Sequence, residues 1–173
     1  TQNKITKVGR VIGSQYERQI KVTNIENYMK SGNFKDMGNS GNRLIMGTKL
    51  MELLGSRLQE TIIVSTGSSK PQTFKIVGTF ETGIKTIDEG TAFISLTDAQ
   101  KLRGTPSEIT DIAVKLFDPN LAANKANQWK NNSRDKILSW QESSAAILSV
   151  FKTQDIVRNS MTISIILVAG FGI

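Results

Sequence analysis

The chain has 173 residues, of which 21% are charged and 38% hydrophobic, a balance that suits one folded domain or two small lobes with a real core. Its net charge is +7, yet the basic residues are scattered from Lys4 to Arg158, with no arginine-rich block and no aromatic interleaving, which argues against nucleic acid as a partner. It contains no cysteine and no histidine, so disulfides, thiolate zinc sites and histidine-based catalysis are excluded.

The first ten residues, TQNKITKVGR, lack an apolar core and do not begin with Met, so no signal peptide is read there. The expectation is a piece of a longer protein, cut at both ends. "KITKVGRVI" places Val8 and Ile12 on a strand, and "RQIKV" alternates Ile20 with Val22 as a second strand. "TNIENYMKSG" carries Thr23 and Glu26 at capping-box spacing and predicts a short helix ending at Gly32. Residues 34–42 have turn composition and are expected to form an exposed loop.

A brief strand over residues 44–46 leads into a helix from Thr48, with Leu50, Leu53, Leu54 and Leu58 at helical spacing and Gly55 near its end. "TIIVS" and "TFKIVGTFETG" read as a hairpin across Gly67, Ser68, Ser69 and Pro71, followed by a strand at "TAFISL". Thr97 and Gln100 then suggest a capped helix that stops at Gly104. From Ile109 the pattern becomes strand, helix, strand. Ile112, Val114 and Leu116 alternate; Asp118 and Pro119 start a helix with Ala122, Ala126 and Trp129 as its buried stripe; "KILSW" returns as a strand.

The last section is helical by period, with Ile147, Val150, Phe151, Gln154, Val157 and Met161 along one side. Past Arg158 the polar side disappears. Residues 161–173 are shorter than the ~20 that cross a hydrocarbon core. The pattern leaves two readings open: a truncated transmembrane helix, or a buried core element, since Ile163, Ile165, Ile166 and Val168 are also good strand formers.

Little chemistry is legible. Glu81, Asp88 and Glu89 sit in a Gly-rich segment without a calcium-loop pattern and are read as solvated loop carboxylates. Met29, Met46 and Met51 are read as core, in preference to a groove for acyl chains. No phosphate-cradling G-x-x-x-x-G-K-[ST] loop occurs, and no catalytic, cofactor or metal set is identified. Ser68, Ser69, Lys70 and Pro71, at the hairpin tip, are the candidate partner contact, the other reading being a solubilising turn.

Three stretches carry a family resemblance. They are "LIMGTKLMELLGSRLQETIIVST", with Gly47, Leu50, Leu54 and Gly55 in matching places; "FKIVGTFETGIKTIDEGTAFISLTDAQKL", matching at Val77, Gly78, Phe80, Gly83, Asp88 and 99–102; and "SWQESSAAILSVFKTQDIVRNSMTISIILVAGFGI". In that order they resemble the extracytoplasmic part of ABC-transporter permeases of the lipoprotein-releasing type (LolC/LolE), related to the macrolide exporter MacB and to FtsX. Two departures stand out. The family's Gly-Asp after the first helix is here "GSRLQE", and the hairpin is shorter than the proline-containing one with which the LolC branch captures a periplasmic chaperone.

The resemblance implies an α+β, two-lobed extracytoplasmic domain. A mixed β/α distal lobe would span residues 1–108, and the second half of a membrane-proximal βαβ-like lobe residues 109–145. An amphipathic helix and the start of a transmembrane helix would span 146–173. Met161, Ile163, Ile165, Ile166, Leu167, Val168, Phe171 and Ile173 would enter the membrane, with Lys152 and Arg158 at its surface. The implied partners are a cytoplasmic ATP-binding subunit, a second permease subunit (homo- or heterodimeric), a periplasmic chaperone or adaptor, and the inner membrane itself. The permease would not be an enzyme: ATP hydrolysis would belong to its partner, and would drive movement of a lipoprotein or other hydrophobic substrate. A reading of another class is a soluble exported binding module with a buried C-terminal helix.

Overall fold

A computed structural model describes residues 5–38, 41–67, 70–144 and 161. The chain divides into two units, Thr1–Val114 and Lys115–Ile173. The fold is α+β, a mixed sheet with short helices.

The first unit is organised by its longest strand. Strands β1 (Arg10–Ser14), β2 (Met29–Ser31), β3 (Arg43–Gly47), β4 (Thr61–Val64), β5 (Gln72–Phe80) and β6 (Thr91–Ser95) form one sheet in the order β1-β6-β3-β5-β2, with β4 also paired to β5. β3 runs parallel to β5 from Arg43↔Lys75 to Gly47↔Phe80. On the opposite edge of β5, β4 pairs with residues 72–75 and β2 with residues 79–80, both antiparallel. Alternation along the strands then sorts the apolar residues to two faces. Leu44, Met46, Phe74, Ile76, Ala92 and Ile94 pack on one face with Leu50 and Leu102. Ile45, Val77, Phe80 and Phe93 pack on the other with Ile25, Phe34 and Met37. Phe93 meets both Phe34 and Phe80 edge-on, at centroid distances of 5.4 and 5.5 Å.

Helices α2 (Thr48–Leu53) and α4 (Leu96–Arg103) cover the first face; of the leucines expected to line α2, Leu50 and Leu54 reach the core, while the helix ends at Leu53, and Leu53 and Leu58 are exposed. The cap of α4 is not Thr97 but Ser95, two residues earlier, whose hydroxyl accepts from the Asp98 N–H; the helix starts at Leu96, as soon as β6 ends. "RQIKV" is not a strand but part of helix α1 (Tyr16–Val22), because Tyr16 and Ile20, four apart, share the face that meets the second core. Thr23 caps nothing downstream: its hydroxyl donates back to the Gln19 carbonyl. The expected helix after it is cut to a 3-10 turn, Ile25–Tyr28, since Met29 pairs with Phe80 and is drawn into the sheet. Residues 34–38 are a second 3-10 turn rather than an exposed loop, with Phe34 and Met37 fully buried. Met46 lies in the core as expected, and Met29 and Met51 pack against it.

In the second unit Asp118 accepts from the Asn120 N–H and Pro119 opens a 3-10 turn, Pro119–Leu121, that runs into helix α5 (Ala122–Asn132). Ala126 is buried, but Trp129 is exposed, so the expected stripe is narrower. The strands expected at residues 109–117 and 136–140 do not form. Ile112 and Val114 are exposed and pair with no strand, and a strand without a ladder partner leaves its peptide groups to water. Ser139 caps a final described turn, α5's neighbour α6 (Trp140–Ser143), in a full capping box with Glu142. No helix among the described residues is long and apolar enough to cross a membrane. Met161 is helical and exposed; the other expected membrane residues, and Lys152 and Arg158, lie outside the described residues.

One close approach constrains the joint between β3 and α2. A Cβ on Gly47 would lie 2.1 Å from the Asp88 carbonyl oxygen, backbone against backbone. Gly47→Ala is therefore expected to lower stability by about 2 kcal/mol, read as a reduced midpoint in urea unfolding.

Candidate functional site

The expected contact, the β4–β5 hairpin, joins a surface that the sheet alone creates. Lys70 and Pro71 are exposed at its end, while Ser68 and Ser69 lie outside the described residues. The Thr66 hydroxyl donates to the Leu102 carbonyl (3.3 Å), tying the base of the hairpin to α4.

Below the tip, Ile62 and Val64 turn toward the first core, which sends Thr61 and Ile63 to the opposite face. Phe74 and Ile76 do the same for Thr73 and Lys75, and Leu44 for Arg43. The second core covers the sheet only from Ile45 and Val77 onward. Thr61, Ile63, Thr73 and Lys75 are thus exposed, Ile63 by 56%, and form a flat uncovered face. Arg43 and Lys75 are direct neighbours across the β3–β5 ladder, and neither is in an ion pair among the described residues. Like charges side by side repel, so this face favours an acidic partner. Lys70 near the hairpin tip, and Arg43 and Lys75 on the face, are its basic groups, with Ile63 exposed among them. The face was not anticipated, although its signal exists: "TIIV" and "QTFKIV" alternate outward Thr, Ile and Lys with inward apolar residues.

Of the three carboxylates expected to be solvated loop groups, Glu81 and Glu89 do lie on the surface, but Asp88 does not. Asp88 is only 2% exposed, at the end of helix α3 (Lys85–Asp88). One carboxylate oxygen accepts from the Thr82 N–H and hydroxyl (both 2.8 Å), the other from the Gly83 N–H (2.9 Å). Gly83 has φ +81°, which lets the chain reverse so that both amides point inward at that carboxylate. Asp88 is a brace for the loop. Glu81 pairs with Lys30 (3.4 Å) and Glu89 with Lys85 (3.9 Å), both on the surface. Among the described residues no group of three or more acidic side chains could hold a metal ion.

In the second unit the Trp140 indole N–H donates to the Pro119 carbonyl (3.0 Å). Lys130 reaches Glu142 at 2.6 Å, joining α5 to α6. The hydrogen bond from Lys130, and then the Ser139 N–H, hold the Glu142 carboxyl below its usual value.

No family model matches the chain. Sequence comparison points to a relationship with permeases of the ABC-transporter kind. Over 111 residues the chain is 29% identical to the lipoprotein-releasing system transmembrane protein LolC of Neisseria meningitidis serogroup B (strain ATCC BAA-335 / MC58). The match covers 59% of this chain and 27% of that protein, so the chain corresponds to a minor part of its relative. This supports a relationship to such permeases.

Two outcomes follow from these bonds. Asp88→Ala leaves two inward amides unpartnered and is expected to cost about 3 kcal/mol in chemical unfolding, while Glu89→Ala stays within about 0.5 kcal/mol. For Glu142 the folded carboxyl titrates below the unfolded one, so its link is complete above the usual carboxylate value of 4.5 and is lost as pH falls through the lowered one. A side-chain NMR titration should show this depression in the natural chain and its relief in Lys130→Met.

Proposed function

We propose that this chain is part of the extracytoplasmic domain of a permease subunit in the inner membrane, facing the periplasm or the cell exterior. In this reading the subunit is not an enzyme. A separate cytoplasmic subunit hydrolyses ATP, and the permease, with a second permease subunit, converts that cycle into extraction or export of a lipoprotein or other hydrophobic substrate. The observation that supports it most is the similarity to LolC across 111 residues, which the three matched stretches already suggested.

The physical logic agrees with a coupling role. The chain offers no histidine or cysteine for covalent or acid–base work and no phosphate loop, so the energy source belongs elsewhere. What it does offer is a firmly packed sheet with a basic, partly apolar surface at Lys70, Arg43, Lys75 and Ile63. Such a surface suits an acidic periplasmic chaperone or adaptor, whose approach it would accelerate through charge. The short hairpin would act with the sheet face, not as a hook by itself.

The whole protein, purified in mild detergent, is expected to bring an ATP-hydrolysing subunit with it; a preparation that carries none overturns the reading. Reversing Arg43 and Lys75 to Glu should slow substrate release and weaken its dependence on salt, with ATP hydrolysis by the complex retained. Release and hydrolysis falling together would assign the two residues to folding instead.

A further inference from the structure

The two tryptophans of the chain, Trp129 and Trp140, both stand on the outside of the second unit, 38% and 48% exposed. Leu121, Lys125 and Trp129 follow one another at four-residue steps and so share one stripe along α5, and all three are exposed. The Trp140 indole is tied to the start of that helix by its N–H, which donates to the Pro119 carbonyl (3.0 Å). With its one polar group satisfied inside the unit, the ring presents apolar surface outward. Phe117, just before the capping Asp118, is exposed as well. Aromatic surface left outside a core in this way marks a place that meets something less polar than water.

The charges of the same unit are one-sided. Residues 115–144 contain five basic and three acidic side chains. The acids are all engaged locally: Asp118 accepts from the Asn120 N–H, Asp135 from the Ser133 hydroxyl, and Glu142 pairs with Lys130. Lys115, Lys125, Arg134 and Lys136 are exposed and in no ion pair among the described residues. Lys125, between Leu121 and Trp129 on the stripe itself, donates to the neutral Gln128 side chain (3.2 Å).

We propose that this face of the second unit, the α5 stripe with Trp140 at its start, rests on the headgroup layer of an anionic phospholipid bilayer. Tryptophan rings and long basic side chains are the groups that suit such a layer, each having an apolar body and a polar or charged tip. The surface potential of anionic lipid acts only within about 10 Å at ordinary salt, so the cations must stand at the surface, as these do. They are spread from Lys115 to Lys136 instead of converging on one spot, which fits a continuous plane of phosphates better than the few carboxylates of an acidic protein. The uncharged run at residues 161–173 of the same chain is also compatible with lipid. This contact goes beyond the transport reading, since it needs neither an ATPase nor a transported substrate.

Both tryptophans lie in the face, so fluorescence reads it directly. The chain, shown to be folded by circular dichroism, is mixed with vesicles of phosphatidylcholine alone or with an equal part of phosphatidylglycerol, each doped with a lipid bearing a nitroxide on its headgroup. On the mixed vesicles the emission should move to the blue and be quenched several-fold more than on phosphatidylcholine, in the Trp129→Phe and Trp140→Phe chains as in the natural one. Lys125→Glu should reduce the quenching several-fold, whereas Lys21→Glu, on α1 of the first unit, should leave it unchanged. A chain that floats with the mixed vesicles while its tryptophans stay unquenched overturns the face, because other residues then make the contact. Emission already blue in solution and unchanged by vesicles overturns it too, since protein then covers the rings. Equal quenching on the two kinds of vesicle overturns the role of charge. The test contains no ATPase, so its failure and the failure of the permease reading are distinguishable.

Discussion

Strand β5 is the constraint on which the first unit depends. It is nine residues long and is paired along both edges, with β3 on one side and β4 and β2 sharing the other. Because its backbone groups are satisfied on both sides, it can be buried on both faces, and Phe74, Ile76, Val77 and Phe80 serve two separate cores. The helices α2 and α4 and the turns around Phe34 and Met37 then have surfaces to cover. Much of the sheet's irregularity gathers beside this strand. The register slips once against β3 and once against β2, which lets a single strand align neighbours of different length and direction.

That arrangement gives the two ends of the sheet different surfaces. At the start of β5 the second core stops short, and Lys75, Thr61 and Ile63 stay exposed near the hairpin, with Arg43 half-buried beside them. At its finish the chain turns through a loop braced by the buried Asp88 carboxylate.

Similarity to LolC and the uncovered basic face are independent lines, the first from residue identity and the second from which side of the sheet is covered. The second unit contributes a different element. Its helices α5 and α6 are joined by Lys130–Glu142 and by the Trp140 indole on Pro119, a compact corner just before the stretch read from sequence as the approach to the membrane.

Sequence alone determined the parts governed by local rules. Strands β3 to β6, the leucine-lined α2, the Asp118–Pro119 start and the hairpin all follow from periodicity, turn residues and capping chemistry within a few positions. Tertiary structure decided the rest. "RQIKV" became helix because Tyr16 and Ile20 had a core to face, and Met29 left its predicted helix because Phe80 offered a ladder partner. Residues 109–117 kept the alternation of a strand without becoming one, since pattern supplies a face but not the neighbour that must pair with it. The basic surface was hidden for the same reason. Arg43 and Lys75 are 32 residues apart in the chain, and only the β3–β5 register makes them adjacent. Asp88, likewise, looked like any loop carboxylate until the fold turned two backbone amides toward it.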